Sequence, residues 1–426
     1  MTNIFQRDIL FKKIFSGELM EKKYFYFQPE YVDKFKCDGS KCNAHCCLAN
    51  WSIFVDDETF KQYSQLDSQE IISRIKFNDI KGEHVIVFDG KNSCPFLNEN
   101  KLCYLQLNYG ENFLSRTCAT YPRITNSFGY FFERSLVLSC PVAAEMILFE
   151  SEPMQFEFVE VPEIIHSPGG KIFIQSIQSS ENLREHLIEI QIAMISILQE
   201  RTLSIDQRLI VLGFFVDRLE EIFFYFDKAA LTKLIAAYES KKFLAEQVPL
   251  MIQSVEFNAE KFIRLILKLT EKVFGKDLFP KDKKFLYTVA DTLKIIPDEN
   301  NFVAISKVAA NYKRLAEVRR KFLAEHSTFL ENYLVNDLFM SISPWQFEGT
   351  FAQNFAAFTA KYKLFELITF SAWLKGLNSV KSLLELTSWF ITRFEHTKEY
   401  KQMIFDSFKD ADDIFDLIES LLDGSD

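Results

Sequence analysis

Glycine and proline are scarce in this 426-residue chain, at 13 and 11 residues. That excludes collagen-like and long low-complexity organisation. A basic excess is also lacking. Lys and Arg total 49 against 59 Asp and Glu, a net charge of −10, which argues against nucleic acid as a partner because phosphate binding needs a basic stripe. Long apolar runs are missing too: LIVLGFF stops at Asp217, short of the ~18 residues a membrane-crossing helix needs. The opening MTNIFQRDILFKKIFSGELMEKK is broken by charges and holds no apolar secretion-signal core. A soluble cytoplasmic monomer, with no membrane partner, is the expectation. Cysteine is absent from position 141 to the end.

What is present is globular. Hydrophobic residues make up 48% and charged residues 25%, and 45 Phe supply bulky core material. The length suggests two or three domains. All eight cysteines fall between Cys37 and Cys140, four of them inside CDGSKCNAHCC: Cys37, Cys42, Cys46 and Cys47. Cys94, Cys103, Cys118 and Cys140 complete the set. In a reducing compartment such clustering points to metal or catalysis rather than disulfides. Soft thiolates favour zinc or iron–sulfur over hard ions. The spacing C-x4-C-x3-C-C then C-x8-C-x14-C-x21-C contains no C-x2-C zinc knuckle and no ferredoxin run. It also departs from the C-x3-C-x2-C of radical S-adenosylmethionine enzymes, whose third cysteine would fall on Ala49. Neighbouring side chains diverge, so one of Cys46 and Cys47 can ligate while the other faces a second ligand set or stays a thiol. His45 is either a ligand or a local hydrogen-bonding group.

The fold class read from pattern is mainly α: an irregular cysteine-rich α+β metal-binding domain, then a helical array. Residues 1–23 are a leader and 24–150 the cysteine-rich domain. Residues 24–36 are an aromatic lead-in in which Pro29 breaks any helix. VDDETFKQYSQL reads as a short helix capped by Asp56 or Asp57, and HVIVF and FGYFFERSLVL as strands. With segments this short, metal is expected to replace a conventional core. Residues 151–170, with three prolines and Gly169-Gly170, read as an extended linker. Residues 171–426 switch to a helical period, giving about seven to nine helices. Ser180 is a cap, Ser204 with Gln207 a capping box, and Gly275 a C-cap. Val308, Tyr312, Leu315, Val318 and Phe322 form one helical stripe across 306–323. Phe214, Phe215, Phe223, Phe224 and Phe226 make a broad apolar face, either core or a groove for a partner helix.

CDGSKCNAHCC, CPFLNENKLCYL and LSRTCATYPR resemble the cysteine-rich domain described as zinc- or iron-chelating. The longer pattern resembles the flagellin lysine-N-methylase family: YFQPEYVDKFKC, NWSIFVDDETFKQY, GENFLSRTCATYPR, SLVLSCPVAAEMIL, and ENYLVNDLF from Glu331. That resemblance implies methyl transfer to the ε-amines of flagellin lysines, S-adenosylmethionine as donor, flagellin as protein partner, a place in bacterial flagellum assembly, and a cysteine-held iron–sulfur cluster of the 4Fe-4S kind, with zinc as the alternative.

Such chemistry sets conditions. A lysine amine, protonated at neutral pH, must lose its proton before attacking a sulfonium methyl. Tyrosine hydroxyls suit that slot better than a carboxylate, which would hold the ammonium charged, so Tyr104, Tyr109 and Tyr121 are the catalytic candidates; packing is the other use of a tyrosine. Arg116 and Arg123, flanking Cys118, can bind a donor carboxylate bidentately or ion-pair with Asp56, Asp57 or Glu111. No strand–GxGxxG–helix unit is present, so the donor would not be held by a doubly wound fold. Methylating an amine nitrogen needs no radical, which favours direct displacement. A non-catalytic cluster-binding interaction protein and a thiol redox protein acting through Cys46-Cys47 remain as rival functions.

Overall fold

The computed structural model describes residues 24–42, 46–48, 51–66, 68–80, 82–88, 93–128, 132–162, 164, 170, 186–225, 227–274, 280–297, 299, 303–410 and 414–423. They divide into two compact units: Met1–Met146 with Gln155–Glu181, and Ile147–Met154 with Asn182–Asp426. The 1–23 leader, His45, Ser180 and Gly275 lie outside the described residues.

The first unit is built on two small sheets. Strand β1, Tyr24–Pro29, was expected to be no more than an aromatic lead-in. It lies inside a four-stranded sheet of order β5-β6-β1-β7, with β5 at Arg123–Ser127, β6 at Phe132–Leu136 and β7 at Phe156–Val161. β7 corrects the linker expectation for its residues. It pairs antiparallel with β1 along its whole length, from Tyr24 opposite Val161 to Pro29 opposite Phe156. Its alternating FEFVEV places Phe156 and Phe158 against Phe27, with ring centroids 5.6 and 4.9 Å away. Pro29 sits at the last position of its strand, where a lost donor matters least.

The second sheet, β2-β4-β3, consists of Phe54–Val55, Glu83–Ile86 and Ile75–Asn78, all antiparallel. The helix Asp57–Gln65 follows β2 and is capped by Asp56, whose carboxylate accepts the Thr59 N–H at 3.1 Å. A conventional core exists here, against expectation: Ile53, Val55, Tyr63, Ile71, Ile86, Phe96 and Leu105 bury together. Cysteines join this core; they do not replace it.

The second unit is helical. Thirteen helices are described between Leu187 and Leu421, more than expected. One reason is that 305–325 breaks in two, Ile305–Lys313 and Leu315–Glu325, where the Arg314 N–H drops to an i−3 bond with the Asn311 carbonyl. The Ser204–Gln207 capping box is present in both directions, at 3.3 and 3.0 Å. A second one, Thr350 with Gln353, starts the 24-residue helix Phe351–Leu374. From Asn354 to Ala372 that helix is buried on all sides, charges included. Lys363 is paired with Asp206 at 3.0 Å, and Lys361 with Asp337 at 2.8 Å. Close packing extends to Gly213 on the helix Ile205–Tyr225, where an added Cβ would stand 2.6 Å from Ile418 Cδ1. Phe215 is core, Phe214 packs on Phe415, and Phe223 on Trp345 and Phe351. Phe224 is 77% exposed, and Phe226 lies outside the described residues. Among the described residues no helix is long and apolar enough to cross a membrane.

Candidate functional site

The cysteines arrive from five separate stretches of the first unit. Cys42 ends the helical turn Gly39–Cys42, five residues after Cys37, and its thiol points back to the Gly39 carbonyl at 3.8 Å. Cys46 and Cys47 open a 3-10 turn that Trp51 holds in place, its indole N–H donating to the Cys46 carbonyl at 2.7 Å. The Cys94 N–H donates to the Cys47 carbonyl at 2.9 Å. Cys103 sits at the N-cap of helix Tyr104–Tyr109 and is bridged to Leu97. Cys118 lies in helix Arg116–Thr120, which Ser115 caps and whose first N–H is taken by Asp56 at 2.9 Å. Cys140 directly precedes helix Pro141–Leu148, in which Ala144 N–H bonds its carbonyl at 2.9 Å.

All eight cysteines line one cavity of about 80 Å³. No two of them are joined by a disulfide. Apolar side chains fill the wall between them, among them Phe35, Trp51, Ile53, Phe96 and Leu114. Burial pushes the thiols of Cys118 and Cys140 up to about 12, and burial with the neighbouring Cys46 and Cys42 pushes Cys37 to about 11. Burial also raises Cys103. Cys46 and Cys47 split: the hydrogen bond between them, sulfur to sulfur 3.9 Å, lowers Cys46 and raises Cys47. Thiolates crowded in an apolar space repel one another, and a bound cation is what offsets such repulsion. Eight soft sulfur donors around one apolar cavity therefore fit a zinc or iron–sulfur centre by donor chemistry. Among the described residues no group of three or more His, Cys, Asp or Glu side chains is already arranged to hold a metal ion.

The other expected site residues divide. Tyr121 lines the cavity, with its hydroxyl 3.0 Å from Ser139 Oγ. Burial raises its hydroxyl well above the ordinary tyrosine range. Tyr104 is 42% exposed and packs edge-on with Tyr109, which in turn lies on Phe113; neither is among the residues that line the cavity. Arg123 donates to the Phe35 carbonyl at 3.1 Å and lies over the Phe35 ring, so it supports the cavity wall from behind. Arg116 is exposed and does not line the cavity; its backbone N–H goes to Asp56. Tyr63 and Trp51 are lining residues that sequence reasoning missed. The Tyr63 hydroxyl donates to the Phe113 carbonyl at 2.5 Å. The available signal was their place at the two ends of NWSIFVDDETFKQY, one of the quoted landmarks.

The landmark at Glu331 lies in the second unit, in helix Phe329–Ser341. Glu331 accepts from Arg201 and Arg208, each at 2.8 Å, and the Asn332 amide donates to the Glu150 carbonyl at 2.8 Å. Glu331 and Asn332 are themselves buried, and these bonds tie their helix to its neighbours within the second unit.

Residues 191–422, more than half of the chain, match the family model for the FliB lysine N-methylase C-terminal domain. The chain belongs to the FliB lysine N-methylase family. Relatives include a lysine-N-methylase of Salmonella typhimurium, 33% identical over 140 residues, a match that spans 30% of this chain and 33% of that protein. The flagellar biosynthetic protein FliU of Salmonella muenchen is 31% identical over 134 residues, 30% of this chain and 79% of its own length. A lysine-N-methylase of Salmonella choleraesuis is 33% identical over 140 residues, again with a third of its length covered. The chain thus matches about a third of the length of the family's named lysine-N-methylases. No solved structure matches it.

Proposed function

We propose that this protein is a lysine N-methylase acting on flagellin, with S-adenosylmethionine as methyl donor and a metal centre, an iron–sulfur cluster before zinc, held by the cysteines of the first unit. What carries the reading is the family match over 191–422, and the cavity lined by eight cysteines gives it a candidate centre. The names of the relatives, a lysine-N-methylase and a flagellar biosynthetic protein, support the substrate class.

The reaction balances as a displacement. The lysine ε-ammonium loses its proton to solvent water, the neutral nitrogen forms a bond to the donor's methyl carbon, and the carbon–sulfur bond breaks, its electron pair staying on sulfur to leave S-adenosylhomocysteine. When bound, the metal centre supplies positive charge and a Lewis-acidic anchor for the donor's polar groups. The chain's own residues do the rest. Apolar walls at Phe35, Trp51 and Leu114 exclude water and so disfavour the ammonium form of the lysine. The Tyr121 hydroxyl, fixed by Ser139, orients the amine. Arg123 holds Phe35 in the wall.

The test is anaerobically purified protein mixed with S-adenosylmethionine and flagellin of the same organism. The reading requires methyl-lysine in flagellin and S-adenosylhomocysteine as by-product. Formation of 5′-deoxyadenosine in step with methylation would replace displacement by a radical route. Unmodified flagellin, with folded and metal-loaded protein, would remove the function altogether.

A further inference from the structure

Four cysteines suffice for one zinc ion or one [4Fe–4S] cluster. Eight thiols on one cavity therefore exceed what a single centre takes up. The surroundings sort them. Cys94 is a member of the apolar core of Ile53, Val55, Tyr63, Phe96 and Leu105, and Cys47, Cys103 and Cys118 pack against that same core. Backbone bonds tie this group together: Cys94 N–H to the Cys47 carbonyl at 2.9 Å, and Tyr104 N–H, next to Cys103, to the Phe96 carbonyl at 2.7 Å. The remaining four have a different setting. Cys37, exposed, and Cys42, half-buried, lie on the segment just after Phe35, Cys46 opens the 3-10 turn, and Cys140, buried, directly precedes the helix after β6.

We propose that the eight cysteines form two tetrathiolate centres for thiophilic metal, iron–sulfur or zinc, which meet at the adjacent pair Cys46-Cys47. Cys47, Cys94, Cys103 and Cys118 hold the inner centre, on the apolar core. Cys37, Cys42, Cys46 and Cys140 hold the outer one. The two tyrosines of the cavity sit on opposite sides: Tyr63 belongs to the core on which the inner group packs, whereas the Tyr121 hydroxyl is 3.0 Å from that of Ser139, the neighbour of Cys140. The adjacency of Cys46 and Cys47, awkward for a single knuckle, is what lets one tight turn feed both centres. Cys37, the one exposed cysteine of the eight, belongs to the outer centre.

The proposal rests on the proposed function only in expecting metal on these thiols. Its test is iron, sulfide and zinc counted per chain on the anaerobically purified full-length protein, with absorption and electron paramagnetic resonance spectra. Wild type is compared with Cys37→Ser/Cys42→Ser and Cys103→Ser/Cys118→Ser, each checked for folding by circular dichroism. Two centres' worth of metal is expected in wild type. Each double variant should keep about half, with different spectra that sum to the wild-type spectrum. If the inner variant fails to fold, the outer variant decides alone: retention of about half the metal supports two centres, and loss of all or of none overturns them. One centre per chain in wild type also overturns the proposal. Because methyl transfer is measured separately, that result leaves the proposed function standing, whereas two centres without methyl transfer would do the reverse.

Discussion

The amide of Cys94 donates to the carbonyl of Cys47 across 2.9 Å. This one bond fastens the second half of the cysteine set to the first, 47 positions earlier in the chain, and makes a single cavity out of two sequence clusters. Its neighbours are equally economical: the Asp56 carboxylate starts two helices, through Thr59 N–H at 3.1 Å and Arg116 N–H at 2.9 Å.

Asp56→Ala should therefore act twice. It removes the cap of Asp57–Gln65 and frees the first N–H of the helix that carries Cys118. Loss of one N-cap costs about 1 kcal/mol, so about 2 kcal/mol is expected here, read from the denaturation midpoint of the first unit. Metal content should fall with it. Asp56→Asn, which keeps a capping oxygen, should restore most of both; equal damage from Ala and Asn would show that the carboxylate acts in some other way.

Tyr121→Phe should lower the rate of methyl transfer by roughly 10–100-fold, the scale of lost positioning, with metal content unchanged. Tyr104→Phe should leave the rate near wild type, because that ring is outside the cavity lining and 42% exposed. The reverse ranking would move the acceptor slot away from the cavity.

In the helical unit, Lys363 and Asp206 are wholly buried and 3.0 Å apart, with Arg319 at 3.2 Å from the same carboxylate. Removing Lys363 leaves the two buried carboxylates of Asp206 and Glu366 to share Arg319, an uncompensated buried charge that costs about 3–5 kcal/mol. Lys363→Met should show a loss of that order in urea denaturation. Asp206→Leu combined with Lys363→Met should recover part of it, since no lone charge of the pair is left.

The same carboxylate sets part of the acid limit. Burial alone would raise Asp206, but the charges of Arg319 and Lys363 and the Asp423 amide hold it at about 2. A folded value below the unfolded one gives stability that is complete above about pH 4 and lost as pH falls toward 2, roughly 2 kcal/mol in all. Asp206→Asn should be less stable at neutral pH and show a flatter acid limb between pH 4 and 2. An unchanged slope would assign that limb to other groups.

Much of the site was legible because cysteine declares its chemistry by type: the eight thiols were grouped from spacing, and the structure puts them on one cavity. Local signals carried equally well. The Asp56 cap and the Ser204–Gln207 box need only neighbours three or four positions away. Strands β1 and β7 were missed because their partners are remote; Phe27 meets Phe158 across 131 positions, and the prolines flanking β7 read as linker. Trp51 and Tyr63 carry no chemical label that separates a cavity wall from ordinary core. Lys361, Lys363 and Glu366 look like a solvated helix face in one dimension, and only their tertiary partners make them interior. Arg116 and Tyr104 were drawn in by nearness in sequence to Cys118 and Cys103, and helix geometry turns both away from the cavity.

The most direct measurement of the central claim is mass spectrometry of flagellin lysines after incubation with the purified protein and S-adenosylmethionine carrying a deuterated methyl group. Protein with its cysteine-held metal should place deuterated methyl on lysine ε-nitrogens, and the same protein stripped by a chelator should not. Flagellin left unlabelled by folded, metal-loaded protein would contradict the account.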